Sequence, residues 1–332
     1  MRFNAKLASL MTLVSVLVAL VSCSEKVNNG DDTTEYNGTY KISFTASKSG
    51  GTGSLTNPWT KALVSTTTEG KETVTAEWKA GDIVEVYQQA NNPAEAAAHD
   101  NKMMWKVGTL TAQSDGVQTT LSGSITGSFT TGNSLLLCFQ HADDLIYDFT
   151  GQDGTLKTIG SKYDYADFFT SISSIYGDNI VINSGSAYFN SEQSIAKFVL
   201  TDQDGAPLKP SKLTLSTSGE SDFIQVFEPL EANYSTPSPS NNPFSNFIET
   251  GPIEVITSAE TNEIYVAVTG NGDGNGTGSG IMYCMDPTTL TIEAVVGNDI
   301  YSYSKEEFSF YANRFYVFNV TMTKKAPATG GN

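Results

Sequence analysis

Short runs of alternating apolar residues, separated by turns rich in glycine, asparagine and aspartate, recur roughly every ten residues along this chain. The alternation first appears at Tyr40, Ile42 and Phe44, which would share one face of a strand. No apolar pattern of helical period extends over three turns, and only the alanine-rich residues 93–99 favour a short helix. The pattern therefore predicts an all-β protein built from sandwiches, with few short helices.

The length of the chain predicts two domains in tandem, because 332 residues exceed the usual size of one domain. Residues 141–177 are rich in tyrosine, aspartate and glycine and separate two sets of strand patterns, which predicts a long connection with one or two short strands. We place the boundary near residue 178. Residues 40–178 and 179–332 would then form two β-sandwiches with Greek-key-like or transthyretin-like topology.

The first 22 residues predict an export signal. Arg2 and Lys6 precede an apolar run over residues 7–21. This run is shorter than the roughly 20 apolar residues that span a bilayer, which argues against an anchor helix. The protein is therefore expected to be exported.

The end of the signal predicts how the exported protein is held. The segment Leu20-Val21-Ser22-Cys23 resembles the lipobox of bacterial lipoproteins. The resemblance implies cleavage between Ser22 and Cys23 and lipidation of Cys23, with an ordinary cleaved signal as the alternative. Several acyl chains on one residue anchor a protein stably to a membrane. The polar, acidic residues 23–39 would form a flexible tether.

Charge and cysteine content exclude several classes of partner. The formal net charge of −17 would repel nucleic acid and anionic lipid surfaces. Beyond Cys23, two cysteines remain, Cys138 and Cys284, each in an apolar run. They would be two buried thiols or, in an oxidising compartment, a disulfide. Their spacing fits no metal site.

Several short motifs follow one another in a fixed order along the chain. After the lipobox they are Ile42-Ser43-Phe44-Thr45-Ala46, Lys61-Ala62, Trp78-x-x-Gly81-Asp82-x-Val84-x-Val86, Tyr188-Phe189, Ile195-Ala196-Lys197-Phe198 and the aromatic segment Phe315 to Met322. Each motif is weak alone, but their order and spacing resemble those of the fimbrillin family, the fimbrial subunits of Bacteroides-type bacteria. The resemblance spans nearly the whole chain.

The resemblance implies a mechanism of assembly. Members of that family are lipoproteins with two β-sandwich domains; a trypsin-like surface protease cuts them after a basic residue, and they polymerise by strand exchange, a form of β-augmentation. On this chain the cut would fall between Lys61 and Ala62, and the displaced first strand would carry Ile42 and Phe44. The alternative is that Lys61 is simply a solvated loop lysine.

Motifs of catalytic sites are absent from the sequence. Its two histidines, His99 and His141, have no nucleophile motif around them, and the acids beside His141 fit a solvated turn better than a cation site. We expect no cofactor, no metal and no enzymatic activity. The sequence predicts a fimbrial subunit or fimbria-associated lipoprotein of the outer membrane, with other fimbrial subunits as partners and an adhesion ligand that it does not specify.

The alternative function is a surface glycan-binding lipoprotein of a polysaccharide-uptake system. It would share the lipid anchor and the sandwiches. Aromatic residues are dense near the carboxyl end and could stack on sugar rings: Tyr301, Tyr303, Phe308, Phe310, Tyr311, Phe315, Tyr316 and Phe318. Alternating aromatic residues in strands are more often core residues and cross-strand pairs.

Overall fold

Strands predominate among the residues that the computed structural model of the chain describes, and two short helices occur there. Those residues are 36–48, 62–68, 71–100, 102–140, 147–184, 187–191, 193–218, 223–227, 247–257, 260–269, 288–308, 310 and 314–326.

The elements follow one another in two groups. The first group consists of β1 Tyr36–Ser47, β2 Ala62–Thr68, β3 Lys71–Glu77, β4 Ile83–Gln89, α1 Pro93–Ala98, β5 Met104–Ala112, β6 Gln118–Phe129, β7 Ser134–Phe139, β8 Tyr147–Asp148, α2 Leu156–Lys162, β9 Ala166–Tyr176, β10 Asn179–Ile182, β11 Ala187–Tyr188 and β12 Asn190–Ser191. The second group consists of β13 Gln193–Thr201, β14 Lys212–Thr217, β15 Phe223–Phe227, β16 Phe247–Gly251, β17 Ile253–Ile256, β18 Glu263–Thr269, β19 Thr288–Val296, β20 Asp299–Phe308, β21 Phe315–Thr321 and β22 Thr323–Lys324.

The first sheet closes on itself. Its strand order is β10-β1-β6-β5-β4-β7-β9, and β10 also pairs with β9, so the two ends of the series meet. Alternate residues of these strands face inward and form one apolar cluster, to which β1 contributes Tyr40, Ile42, Phe44 and Ala46. The period-2 pattern of the sequence therefore produces a sheet with one buried face.

Two glycines allow β5 and β6 to approach each other closely. A Cβ atom at Gly123 would lie 2.1 Å from the carbonyl oxygen of Thr109, and one at Gly108 would lie 2.3 Å from that of Ser124. Real side chains never come so near to backbone atoms, so both positions require glycine.

We expect Gly123→Ala to destabilise the protein, because the new methyl group would force two paired backbones apart. The expected loss in the free energy of unfolding is about 1–3 kcal/mol, as for other overpacked sites. Denaturant unfolding measures it, with Ser124→Ala, at an exposed position of the same strand, as the control. Equal stability of the two variants would contradict the close approach.

A second apolar cluster lies between the sheets of the carboxyl-terminal half. One sheet has the order β18-β13-β21 and the other β17-β14-β19-β20-β22. Both sheets contribute buried residues to this cluster, for example Phe198 from β13 and Leu215 from β14, which makes it the core of a sandwich.

Segments from the first half of the chain also enter this second core. Val74 and Ala76 of β3 are buried in it, as are Phe149, Ile159 and Tyr165 from the stretch between β7 and β9. These segments therefore pack in the second core, although they lie between strands of the first sheet in the sequence.

The all-β fold with few short helices is confirmed. The short helix predicted over residues 93–99 is α1, whose cap Asn92 accepts a hydrogen bond from the Glu95 N–H. The predicted connection over residues 141–177 contains more order than expected, since it includes the 11-residue strand β9. The boundary at residue 178 stays a prediction, and pairing with the first sheet extends to Ser191.

Candidate functional site

The candidate site is the position of β1 in the first sheet. On one side β1 pairs antiparallel with β6 along its whole length, from Tyr36 opposite Phe129 to Ser47 opposite Gln118. On the other side it runs parallel to β10 and β11. Its backbone is therefore bound at both edges, as in the interior of a sheet.

The inward face of β1 fills a row of apolar sites. Tyr40 meets Phe129 edge to face with ring centroids 5.5 Å apart, and Phe44 lies 6.2 Å from Phe168. Ile42 is 2 % exposed and Ala46 fully buried. Complete burial of a side chain as large as Ile or Phe contributes about 1.5–3 kcal/mol, so this face holds β1 firmly.

An exposed ion pair borders the same strand. The Lys41 ammonium lies 2.8 Å from the Asp178 carboxylate, and the Lys41 N–H donates to the Asp178 carbonyl at 2.7 Å. The side-chain hydrogen bond and the charge of each partner raise the pKa of Lys41 and lower the pKa of Asp178. Both groups therefore stay charged at neutral pH, and the pair weakens as acid protonates Asp178 or as strong base deprotonates Lys41.

Lys48, the residue that follows β1, lies in a buried aromatic site. It is fully buried, and its ammonium lies 3.5 Å from the centroid of the Trp78 ring and 3.6 Å from that of Phe139. The carboxylate of Asp82, itself 4 % exposed, lies 3.7 Å away. A buried cation is tolerated where an opposite charge and aromatic faces compensate for lost water.

The Trp78-to-Asp82 motif builds this site. Gly81 adopts φ +92°, a conformation that favours glycine, and the turn it permits lets Asp82 accept a 2.9 Å hydrogen bond from the Lys79 N–H. Trp78 packs edge to face against Phe139 and Phe189, with centroids 5.6 and 5.3 Å away. The motif therefore forms the receptor for the end of β1.

Comparisons with known proteins give no family assignment. No protein-family model matches the chain, and no curated protein matches it.

Solved structures resemble the chain only distantly. A candidate cell adhesion protein from Bacteroides ovatus aligns with 88 % of this chain and 96 % of its own, at 11 % identity and TM-score 0.42. One from Bacteroides uniformis aligns with 75 % of this chain and 91 % of its own, at 10 % identity and TM-score 0.40. A shaft pilin from Lactobacillus rhamnosus aligns with 87 % and 98 %, at 11 % identity and TM-score 0.29. All three scores are below 0.5.

The structure places some of the predicted site residues and leaves others outside its description. Ile42 and Phe44 lie on the inward face of β1, and Ala62 begins β2. The predicted sites at Ser22, Cys23, Lys61, His141 and Cys284 lie outside the described residues.

The described residues include neither a helix that could span a membrane nor a group of metal ligands. None of the helices found there is both long and apolar enough to cross a bilayer. The same part of the chain contains no group of three or more His, Cys, Asp and Glu side chains that could hold a metal ion. Cys138 is buried in β7 beside Tyr87 and Met104.

Sequence reasoning missed Lys48. A lysine between an apolar strand and a glycine-rich stretch is normally solvated, so neither the residue type nor its position in the sequence indicated that Lys48 is buried. The alternation does continue through Ala46, which would have placed Lys48 on the inward face had the strand been extended by two residues.

Proposed function

We propose that this protein is a non-enzymatic fimbrial subunit whose first strand, β1, is exchanged for a strand of another subunit. Proteolysis between Lys61 and Ala62 would detach β1 covalently. A strand donated by a neighbouring copy would then occupy its place. The single observation that carries the proposal is the position of β1 between other strands: β6 pairs with its whole length on one edge, and β10 and β11 pair with parts of the other. The stretch that contains Lys61 follows it in the sequence.

The contacts of β1 support this order of events. After a cut before Ala62, β1 would be held by its pairing with β6, β10 and β11, by its apolar face and by Lys48. All of these contacts are non-covalent, so the strand could leave. Without the cut, the connection to β2 would return β1 to its place after any local opening.

The vacated position would favour a donated strand. Loss of β1 would leave unpaired backbone groups along β6 and along β10 with β11, and would expose the sites filled by Tyr40, Ile42 and Phe44. Unpaired edges beside an apolar groove bind an extended segment readily, since it restores the ladder and the side-chain contacts together. A strand with apolar residues at alternate positions fits this groove.

The location follows from the amino-terminal sequence. Lipidation of Cys23 would hold the new subunit at the outer membrane, and residues 23–39 would separate the folded part from the lipid surface. Cleavage after Lys61 would release it from that anchor for incorporation into a fimbrium. Adhesion would be a property of the assembled filament.

We expect Lys61→Gln to prevent both cleavage and assembly. A trypsin-like protease requires a basic residue before the cut, so the variant should stay at the membrane with Cys23 at its amino terminus. Amino-terminal sequencing of filaments sheared from cells should read Ala62 for the unaltered protein. Sheared fractions of Lys61→Gln cells should contain at least about tenfold less of the subunit.

The control is Lys71→Gln, which changes the next lysine along the chain. This variant should be cut and assembled normally. Filaments composed of subunits that begin at Cys23 would refute the proposed role of the cut.

A further inference from the structure

A cavity of about 770 Å³ opens at the end of the first sheet where β1 begins. One wall is formed by α1 and the residues just before it, and the other by the ends of β4 and β6. The volume is typical of pockets for small molecules and short oligomers. None of its lining residues belongs to β1.

A buried amide is fixed in the lining of this cavity. The Gln88 side chain is 2 % exposed, and its nitrogen donates to the Glu95 carboxylate at 3.1 Å and to the Ser128 carbonyl at 3.3 Å. Both partners are acceptors, which settles the orientation of the amide. Among the described residues nothing donates to its oxygen, so this acceptor is available to a ligand.

Neighbouring polar groups are held in place by one another. The second oxygen of Glu95 accepts from the Asn91 backbone N–H at 2.8 Å and from its side-chain nitrogen at 3.0 Å. The Asn92 side-chain oxygen accepts from the Glu95 N–H at 3.0 Å. The two asparagines therefore line the cavity in fixed positions, which lowers the entropy lost on binding.

An aromatic pair completes the lining. The rings of His99 and Trp105 stack with centroids 3.7 Å apart and planes within 8°. Trp105 is half-buried, and both residues line the cavity. A flat aromatic surface next to fixed amides suits a ligand that has both C–H faces and hydroxyl groups.

The charges of the cavity exclude anionic ligands. No lysine or arginine is found among the described residues that line it, and Glu95 supplies its carboxylate. An anion would meet this negative charge without a compensating cation. The formal net charge of −17 for the whole chain acts in the same direction.

We propose that this cavity binds a neutral oligosaccharide. The hydroxyl groups of the sugar would bond to the amides of Gln88, Asn91 and Asn92, and a C–H face would pack on the aromatic pair. The lining residues 126–128 pair with β1, but β1 itself contributes no lining residue. Binding by the uncut protein therefore requires neither the cut nor assembly. A failed test of sugar binding would therefore leave the proposed exchange of β1 unaffected, and a failed test of exchange would leave sugar binding unaffected.

The test uses the whole protein in detergent micelles and a panel of maltotriose, cellotriose, mannotriose, xylotriose, diacetylchitobiose, lactose and sialyllactose. We expect saturable binding, by titration calorimetry, to at least one neutral sugar of the panel at up to millimolar concentration. Lactose and sialyllactose form a matched neutral and acidic pair. The acidic sugar should bind no better than the neutral one.

Two alanines of α1 provide matched variants. Both are exposed, but Ala98 lines the cavity and Ala97 does not. Ala98→Trp should lower affinity for the bound sugar at least about tenfold by filling the cavity, whereas Ala97→Trp should leave it unchanged. Absence of saturable binding to every neutral sugar, preference for sialyllactose, or equal affinity of both variants would each overturn the proposal.

Discussion

A disulfide between β1 and β6 is expected to abolish assembly of the subunit while leaving its fold intact. The side chains of Thr39 and Thr126 face each other across the two strands, with hydroxyl oxygens 3.1 Å apart. Their proximity satisfies the first requirement for a disulfide in Thr39→Cys/Thr126→Cys. A strand linked in this way cannot leave its groove, so no neighbouring strand can enter.

The measurement is the amount of subunit in sheared filaments under oxidising and reducing conditions. We expect at least about a tenfold loss when the disulfide is formed and recovery when it is reduced. The matched control is Thr109→Cys/Ser124→Cys, which links exposed opposite positions of β5 and β6, two strands that stay in place during exchange. Normal filament yield from the oxidised Thr39 and Thr126 pair would show that β1 is not exchanged.

Local sequence patterns predicted the parts of this fold that depend on local geometry. Tyr40, Ile42 and Phe44 share the inward face of β1, because side chains in a strand alternate between its two faces. Asn92 and Pro93 begin a short helix for reasons contained in the same few residues. Such features require no knowledge of distant partners.

Long-range pairing could not be predicted in the same way. The closure of the first sheet depends on β10 pairing with β1, where Asn179 lies opposite Lys41, as well as with its neighbour in the sequence, β9. Likewise, Val74 and Ala76 alternate as any half-buried strand would, yet they pack in the second core. Alternation specifies a buried face but not which core buries it.

The Lys48 site and the cavity also depend on contacts between residues that lie far apart in the sequence. The residues of the Trp78-to-Asp82 turn stand close together in the sequence and were recognised as a motif, but their ligand, Lys48, lies thirty positions before Trp78. The cavity draws Gln88, Trp105 and Ser128 from three strands. Nothing in their separate sequence contexts indicates that they meet, because only the pairing of β4, β5 and β6 brings them together.

Replacing Lys48 by methionine is expected to destabilise the protein strongly, although the new side chain has a similar size and suits an apolar site. The change removes the cation 3.7 Å from the buried Asp82 carboxylate. Loss of one partner of a buried ion pair costs about 3–5 kcal/mol, because the remaining charge stays away from water. The midpoint of denaturant unfolding should fall accordingly.

The same strand offers the control. Lys41→Met removes an ammonium that also pairs with an aspartate, but both members of that pair are exposed, so we expect little change in stability. The double variant Lys48→Met/Asp82→Asn should be more stable than Lys48→Met alone, since it also removes the buried negative charge. Equal effects of Lys48→Met and Lys41→Met would contradict the role of the buried pair.

If the buried pair holds the end of β1, the cut strand should also dissociate faster from the Lys48→Met variant than from the unaltered protein, because the ammonium that contacts Asp82 and Trp78 is missing.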